Sequence, residues 1–109
     1  NQSKFCISCA NGSDALLIAL KALGIRQGEE VITTSLSWIA TSAAVSLAGG
    51  NVVFCDIEKD GFNIDYKSIE KKITKKTVGI IPVHLYGNPA NMFDIMKIAK
   101  KNKLWVIEE

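Results

Sequence analysis

Residues 10 to 14 read Ala-Asn-Gly-Ser-Asp and run straight into "ALLIALKALG". A glycine, a hydroxyl and a helix start in succession can cradle an anion. The first amides of a helix have no partner inside it, and Gly12 lets a ligand come close to the backbone. The same residues also serve as a plain helix cap, with Asn11 or Ser13 accepting from the first turn and Asp14 answering the helix dipole. There is no GxGxxG and no GxxxxGK[ST], so neither a dinucleotide fingerprint nor a P-loop is present. Trp38, in "TTSLSWIAT", has the flat face that stacks on a planar ring, or that fills a core. His84 is the single histidine and suits proton transfer or a hydrogen bond to a ligand, or a structural hydrogen bond. Asp56 ends "VVFCD", where an acid can bind a ribose or close an acidic turn. Glu108 and Glu109 end an apolar run, and alternation along a strand sends one of them toward a site there.

Three cysteines, Cys6, Cys9 and Cys55, are an odd set in a chain with no visible secretion signal, which points to a reducing compartment and a cytoplasmic setting. "CISC" has the spacing of a redox pair. It lies in what reads as a strand rather than at a helix start, where a dipole would activate a thiol. A metal site from Cys6, Cys9, Cys55 and His84 lacks a second clustered pair. No metal is expected, and buried structural thiols are the expectation for all three cysteines.

The elements that must position these residues alternate. "KFCISCA" reads as a strand, "SDALLIALKALG" as a helix stopped by Gly24, and "EVITTS" as a strand. "SWIATSAAVSLAGG" reads as a helix of small residues, followed by the strand "NVVFCDI". "IDYKSIEKKIT" is an amphipathic helix with Ile64, Ile69 and Ile73 inward, and "TVGIIPV" is a strand. "NMFDIMKIAKKN" is a helix with Met92, Ile95, Met96 and Ala99 on one face, and "LWVIE" closes as a strand. The strands are short and continuously apolar, so both faces are covered. The expectation is an α/β fold of three layers around a mainly parallel sheet. In such sheets ligands sit at the carboxyl ends of the strands, where every candidate above lies.

Composition narrows the function classes. The 109 residues are 48% hydrophobic with a net charge of +2, enough for one core and too balanced for a disordered tail. "KKITKK" and "KIAKKNK" read as solvated helix faces, so no nucleic-acid partner is expected. No apolar run approaches the roughly 20 residues of a membrane span. A start without Met and an end just after a strand suggest a stretch of a longer protein.

"ANGSDALLIALKALGIRQGEEVITTSLSWIATSAAV", "VFCDIEKDGFNID", "IIPVHLYGNPANM" and "LWVIEE" together resemble the DegT/DnrJ/EryC1/StrS sugar aminotransferases, in order and over about residues 4 to 109. The resemblance implies the cofactor pyridoxal 5′-phosphate (PLP) and the large domain of the aspartate-aminotransferase fold, fold type I. Residues 1–109 would be part of that domain, with the small C-terminal domain lying beyond them. It implies transfer of an amino group from glutamate to a nucleotide-linked keto-sugar, by a homodimer. Gly12 and Ser13 match the turn that binds the cofactor phosphate. Trp38 matches the aromatic residue stacked on the pyridine ring. Glu109 stands where the family has the aspartate that pairs with the pyridine nitrogen, and is one methylene longer. The lysine that holds the cofactor lies beyond this stretch in the family. No lysine here matches it, and the stretch alone is expected to be inactive. Two other readings remain open: a non-catalytic relative that senses PLP or a sugar nucleotide, and a nucleotide-binding oxidoreductase using Asp56.

Overall fold

The computed structural model describes residues 3–109. Its elements in order are α1 (Gly12–Ala22), β1 (Glu30–Thr34), α2 (Ala40–Ala48), β2 (Asn51–Cys55), α3 (Tyr66–Lys72), β3 (Thr77–Ile81), a 3₁₀ turn (Leu85–Gly87), α4 (Met92–Asn102) and β4 (Trp105–Val106). The four strands form one parallel sheet in the order β2-β1-β3-β4.

Strand residues alternate between two cores. Val31 and Ile81 pack with Leu16, Leu20, Ala44 and Val45, so α1 and α2 cover one face. Ile32 and Ile80 pack with Ile64, Ile69, Ile95, Ile98 and Ala99, so α3 and α4 cover the other. The three expected layers are all present. Burial on both faces leaves no alternation of buried and exposed residues along β1 and β3, and buries Thr33, Thr34 and Thr77 with the apolar residues. Helix α2 ends where expected: Gly49, at φ 99°, takes the left-handed cap that a side chain disfavours.

Three expectations fail locally. The first strand, over 4–10, is absent. Phe5 and Ile7 are 85% and 88% exposed, and no described strand pairs with this segment. Apolar residues favour an extended chain, but a strand exists only when a neighbour completes its hydrogen bonds. Consequently Cys6 and Cys9 are exposed rather than buried; only Cys55 is buried. On α4, Ile98 rather than Met96 joins the core, and Met96 is half exposed.

The pairing of β3 with the edge strand β4 brings a side chain onto the backbone. Gly79 pairs with Trp105, whose indole lies over the position a Cβ would take. The indole therefore lies flat against a strand that carries no side chain at that point. Substituting Gly79→Ala forces the indole or the strand aside. It should cost about 1–3 kcal/mol of stability in the full-length protein, measured by denaturant unfolding. Burial pushes the Cys55 thiol above its ordinary range, with the Ser68 hydrogen bond and Lys72 opposing in part. At pH 8 Cys55 should therefore stay unalkylated in the native protein and react only in denaturant, as read by mass spectrometry of its peptide.

Candidate functional site

Parallel strands put all their carboxyl ends on one edge, and the helices return the chain to the other. Residues 23–29 lead from the end of α1 straight to the start of β1, with α1 packed on the sheet face. Helix α1 therefore runs against the strand direction, and its first turn lies at the carboxyl edge. Helix α2 leaves the carboxyl end of β1, so its first turn lies there too.

At the start of α1, the Asn11 side chain caps the helix, its Oδ1 accepting from the Asp14 amide at 2.9 Å. Its Nδ2 donates to the Asp14 carboxylate at 3.0 Å, which holds that charge to the side. Ala15 donates to the Asn11 carbonyl at 3.1 Å. The two amides before these, of Gly12 and Ser13, find no acceptor among the described residues. Space for a Cβ at Gly12 is open. The cap reading holds for Asn11, and the Gly12 and Ser13 amides stay without an acceptor among the described residues.

At the start of α2, Trp38 is 76% exposed. Its carbonyl receives the Thr41 amide at 3.3 Å. Thr41 is buried, and its Oγ1 lies 2.6 Å from Glu109 Oε2. Oγ1 is also 3.3 Å from the Trp38 carbonyl and 3.4 Å from Ser37 Oγ. This contact joins the Trp38 turn to the last residue of the chain. Sequence reasoning missed Thr41. Its only signal is position, three residues after the exposed tryptophan and so on the adjoining helical face.

Glu109 is held by its backbone as well. Beyond β4 the ladder with the β3 side continues: Ile107 donates to the Ile80 carbonyl (3.1 Å), Glu109 donates to that of Pro82 (3.1 Å), and the His84 amide donates to the Glu109 carbonyl (2.7 Å). Alternation then separates the two glutamates. Trp105 and Ile107 face α1 and α2, and Glu109 shares their side. Glu109 Oε1 has no partner among the described residues.

Glu108 faces the other way and meets His84, with Nε2 and Oε2 3.1 Å apart. The Ala90 amide donates to His84 Nδ1 at 3.1 Å, so Nδ1 is the acceptor, and the neutral ring carries its proton on Nε2, donated to Glu108. His84 therefore braces the strand end. The loop after it is held by buried Asn63, which accepts from the Leu85 amide and donates to the Asn88 carbonyl. Asp56 ends the edge strand β2 exposed, with no side-chain bond tying it to these groups. Among the described residues no three of His, Cys, Asp and Glu gather as a metal site. No described helix is long and apolar enough to cross a membrane.

Known proteins carry the same pattern. The DegT/DnrJ/EryC1/StrS aminotransferase family model matches residues 1–109. A "pleiotropic regulatory protein" of Geobacillus stearothermophilus is 49% identical over the whole chain, which spans 29% of that relative. The UDP-2-acetamido-2-deoxy-3-oxo-D-glucuronate aminotransferase of Pseudomonas aeruginosa is 46% identical over 98% of the chain and 30% of its own length. The crystal structure of NtdA from Bacillus subtilis, with bound cofactor PMP, superposes with a TM-score of 0.86 at 46% identity, covering 88% of this chain and 22% of that one. The chain thus spans about 30% of the length of the curated relatives it matches. In sequence over its whole span and in fold, this chain belongs to the DegT/DnrJ/EryC1/StrS aminotransferase family.

Proposed function

We propose that residues 1–109 are the cofactor-binding part of the large domain of a PLP-dependent aminotransferase, which moves an amino group from glutamate to a nucleotide-linked keto-sugar. The observation that carries this reading is Glu109: one carboxylate oxygen is anchored by Thr41 and the other is free, on the edge where Trp38 lies exposed. A carboxylate anchored by Thr41, three residues after an exposed indole, fits a flat, cationic heterocycle. The open amides of Gly12 and Ser13 and the Ser13 hydroxyl fit a phosphate on the same edge.

Bound PLP supplies an electron sink for the charge left when a proton leaves the carbon bearing the amino group. The chain's own groups do the rest of the holding. Gly12 and Ser13 donate to the phosphate, at the positive end of α1. Trp38 covers one face of the ring and keeps water from it. Glu109 Oε1 accepts from the pyridine nitrogen and keeps its proton in place. His84 and Glu108 keep the strand end that carries Glu109 in register. The lysine that accepts and returns the substrate proton comes from outside residues 1–109, and the full-length protein works as a homodimer.

One observation favours a second reading, a regulatory relative that binds PLP without turnover. The Geobacillus relative bears a regulatory name at 49% identity. A spectrum of the full-length protein with PLP separates the two. An aminotransferase shows a visible cofactor band that glutamate discharges; a sensor keeps the band. Persistence of the band with glutamate at saturation would overturn the enzyme reading.

Two variants of the full-length protein check the roles. Trp38→Ala should weaken PLP binding by about 1 kcal/mol, roughly fivefold, and change the chemical step less, because stacking acts in every state of the bound cofactor. Glu109→Gln should do the reverse, keeping PLP affinity near the parent value while the half-reaction with glutamate slows far more. PLP titration and single-turnover rates measure both. A parental half-reaction rate in Glu109→Gln removes Glu109 from the pyridine partnership.

A further inference from the structure

Thr41 does more than fill its place in the core. We propose that it is a positioning residue of the cofactor site, whose hydroxyl aims the Glu109 carboxylate from the first turn of α2, three residues after Trp38. The inference rests on the functional reading above and adds a residue to it.

A hydroxyl has one proton to give. Thr41 Oγ1 has three oxygens near it, and Glu109 Oε2 is the closest at 2.6 Å and the only charged one. The proton therefore goes to Glu109, and the Ser37 hydroxyl can donate to Thr41 in turn. Hydrogen bonds to an ionised acceptor are shorter and stronger than neutral ones, as this distance reflects. If Thr41 served only the helix, its hydroxyl would turn to the Trp38 carbonyl, three residues back, as buried threonines in helices do. Here that contact is the longer one.

The consequence is geometric. Glu109 reaches its position through three side-chain torsions. Its backbone is pinned by Pro82 and His84, and Thr41 fixes the far end, so the torsions between have little freedom. One oxygen is spoken for, and the other has no partner among the described residues. Trp38 sits three residues before Thr41, with its carbonyl bonded to the Thr41 amide. The face of the ring and its nitrogen partner are thereby set from one turn of chain. In this proposal Thr41 acts only through Glu109.

The test uses the full-length protein loaded with PLP. The variants are Thr41→Val, which keeps the shape without the hydroxyl, Thr41→Ser, which keeps the hydroxyl, and Glu109→Gln alone and combined with Thr41→Val. The first readout is the pH midpoint of the bound cofactor's absorption change, which reports the charge at the ring. The second is the half-reaction rate with glutamate. Melting of the cofactor-free proteins shows that each variant folds, and Thr41→Ala serves in place of valine where valine disturbs packing. Thr41→Val should move the midpoint in the same direction as Glu109→Gln, by less, and slow the half-reaction roughly three- to tenfold. Thr41→Ser should return both to near the parent. In the Glu109→Gln background, Thr41→Val should change neither further. A parental midpoint and rate in Thr41→Val, while Glu109→Gln moves both, overturns the role of Thr41 and leaves the functional reading standing. Fully additive effects of the two substitutions overturn it equally. A Glu109→Gln protein that matches the parent in both readouts removes Glu109 from the pyridine partnership and the role of Thr41 with it; a cofactor band that persists with saturating glutamate is what overturns the functional reading.

Discussion

The pairing of β1 with β3 as well as with β2 is the constraint on which the rest of the structure depends. It is a parallel pairing between strands that are not neighbours in sequence. It requires the chain to leave β2, cross on one face through α3, and return on the far side of β1. With all four strands parallel, every helix must carry the chain back. The starts of α1 and α2 and the ends of the strands then meet on one edge. The crossing also sends the connections to opposite sides of the β1–β3 boundary, which is where open α/β sheets hold their ligands. The candidate residues share an edge because the topology leaves them no other place.

On that edge, a single residue of alternation decides the chemistry. Glu108 and Glu109 are adjacent and alike, yet one meets His84 and the other meets Thr41. The ladder bonds from Ile107 to His84 fix the phase, so Glu109 falls on the α1–α2 face with Trp105 and Ile107. A slip of one residue would present Glu108 to Thr41 and turn Glu109 toward the opposite layer. His84 therefore matters to the site through its backbone amide more than through its ring. The ring's partners, Ala90 and Glu108, lie on the bracing side.

Much of this was legible in the residues. The helices announced themselves by period and by stops such as Gly49, and β1 and β3 by short stretches around Val31-Ile32 and Ile80-Ile81 without apolar–polar alternation, as a doubly covered strand allows. The order of elements put Asn11 to Asp14, Ser35 to Trp38, Asp56, His84 to Gly87 and Glu108 to Glu109 on the carboxyl edge, and the family resemblance alone singled out Gly12, Ser13, Trp38 and Glu109 among them. The segment 4–10 was misread because its apolar residues are local information, while a strand depends on a partner. Thr41 was invisible for a related reason. A threonine in a run of small helical residues looks like packing, and its partner lies 68 residues away. Neither the tilt of α2 nor the phase of the last strand can be computed from composition.

Where the structure leaves hydrogen-bonding capacity unused is as informative as where it spends it. Among the described residues no buried side-chain nitrogen or oxygen lacks a partner. Asn63, Thr33 and Thr41 all have theirs, each tying distant segments together. On the carboxyl edge, the amides of Gly12 and Ser13 and one oxygen of Glu109 have no partner among the described residues. Helix α1 is fixed by Leu16 and Leu20, α2 by Ala44 and Val45, and the last strand by its ladder. Donors and acceptors that are free yet immobile lose little freedom when a ligand arrives, so more of each contact appears as affinity. In the function proposed above, such an edge takes a ligand with an anionic end, a flat middle and a cationic nitrogen, held at once by three elements that the sheet keeps in register.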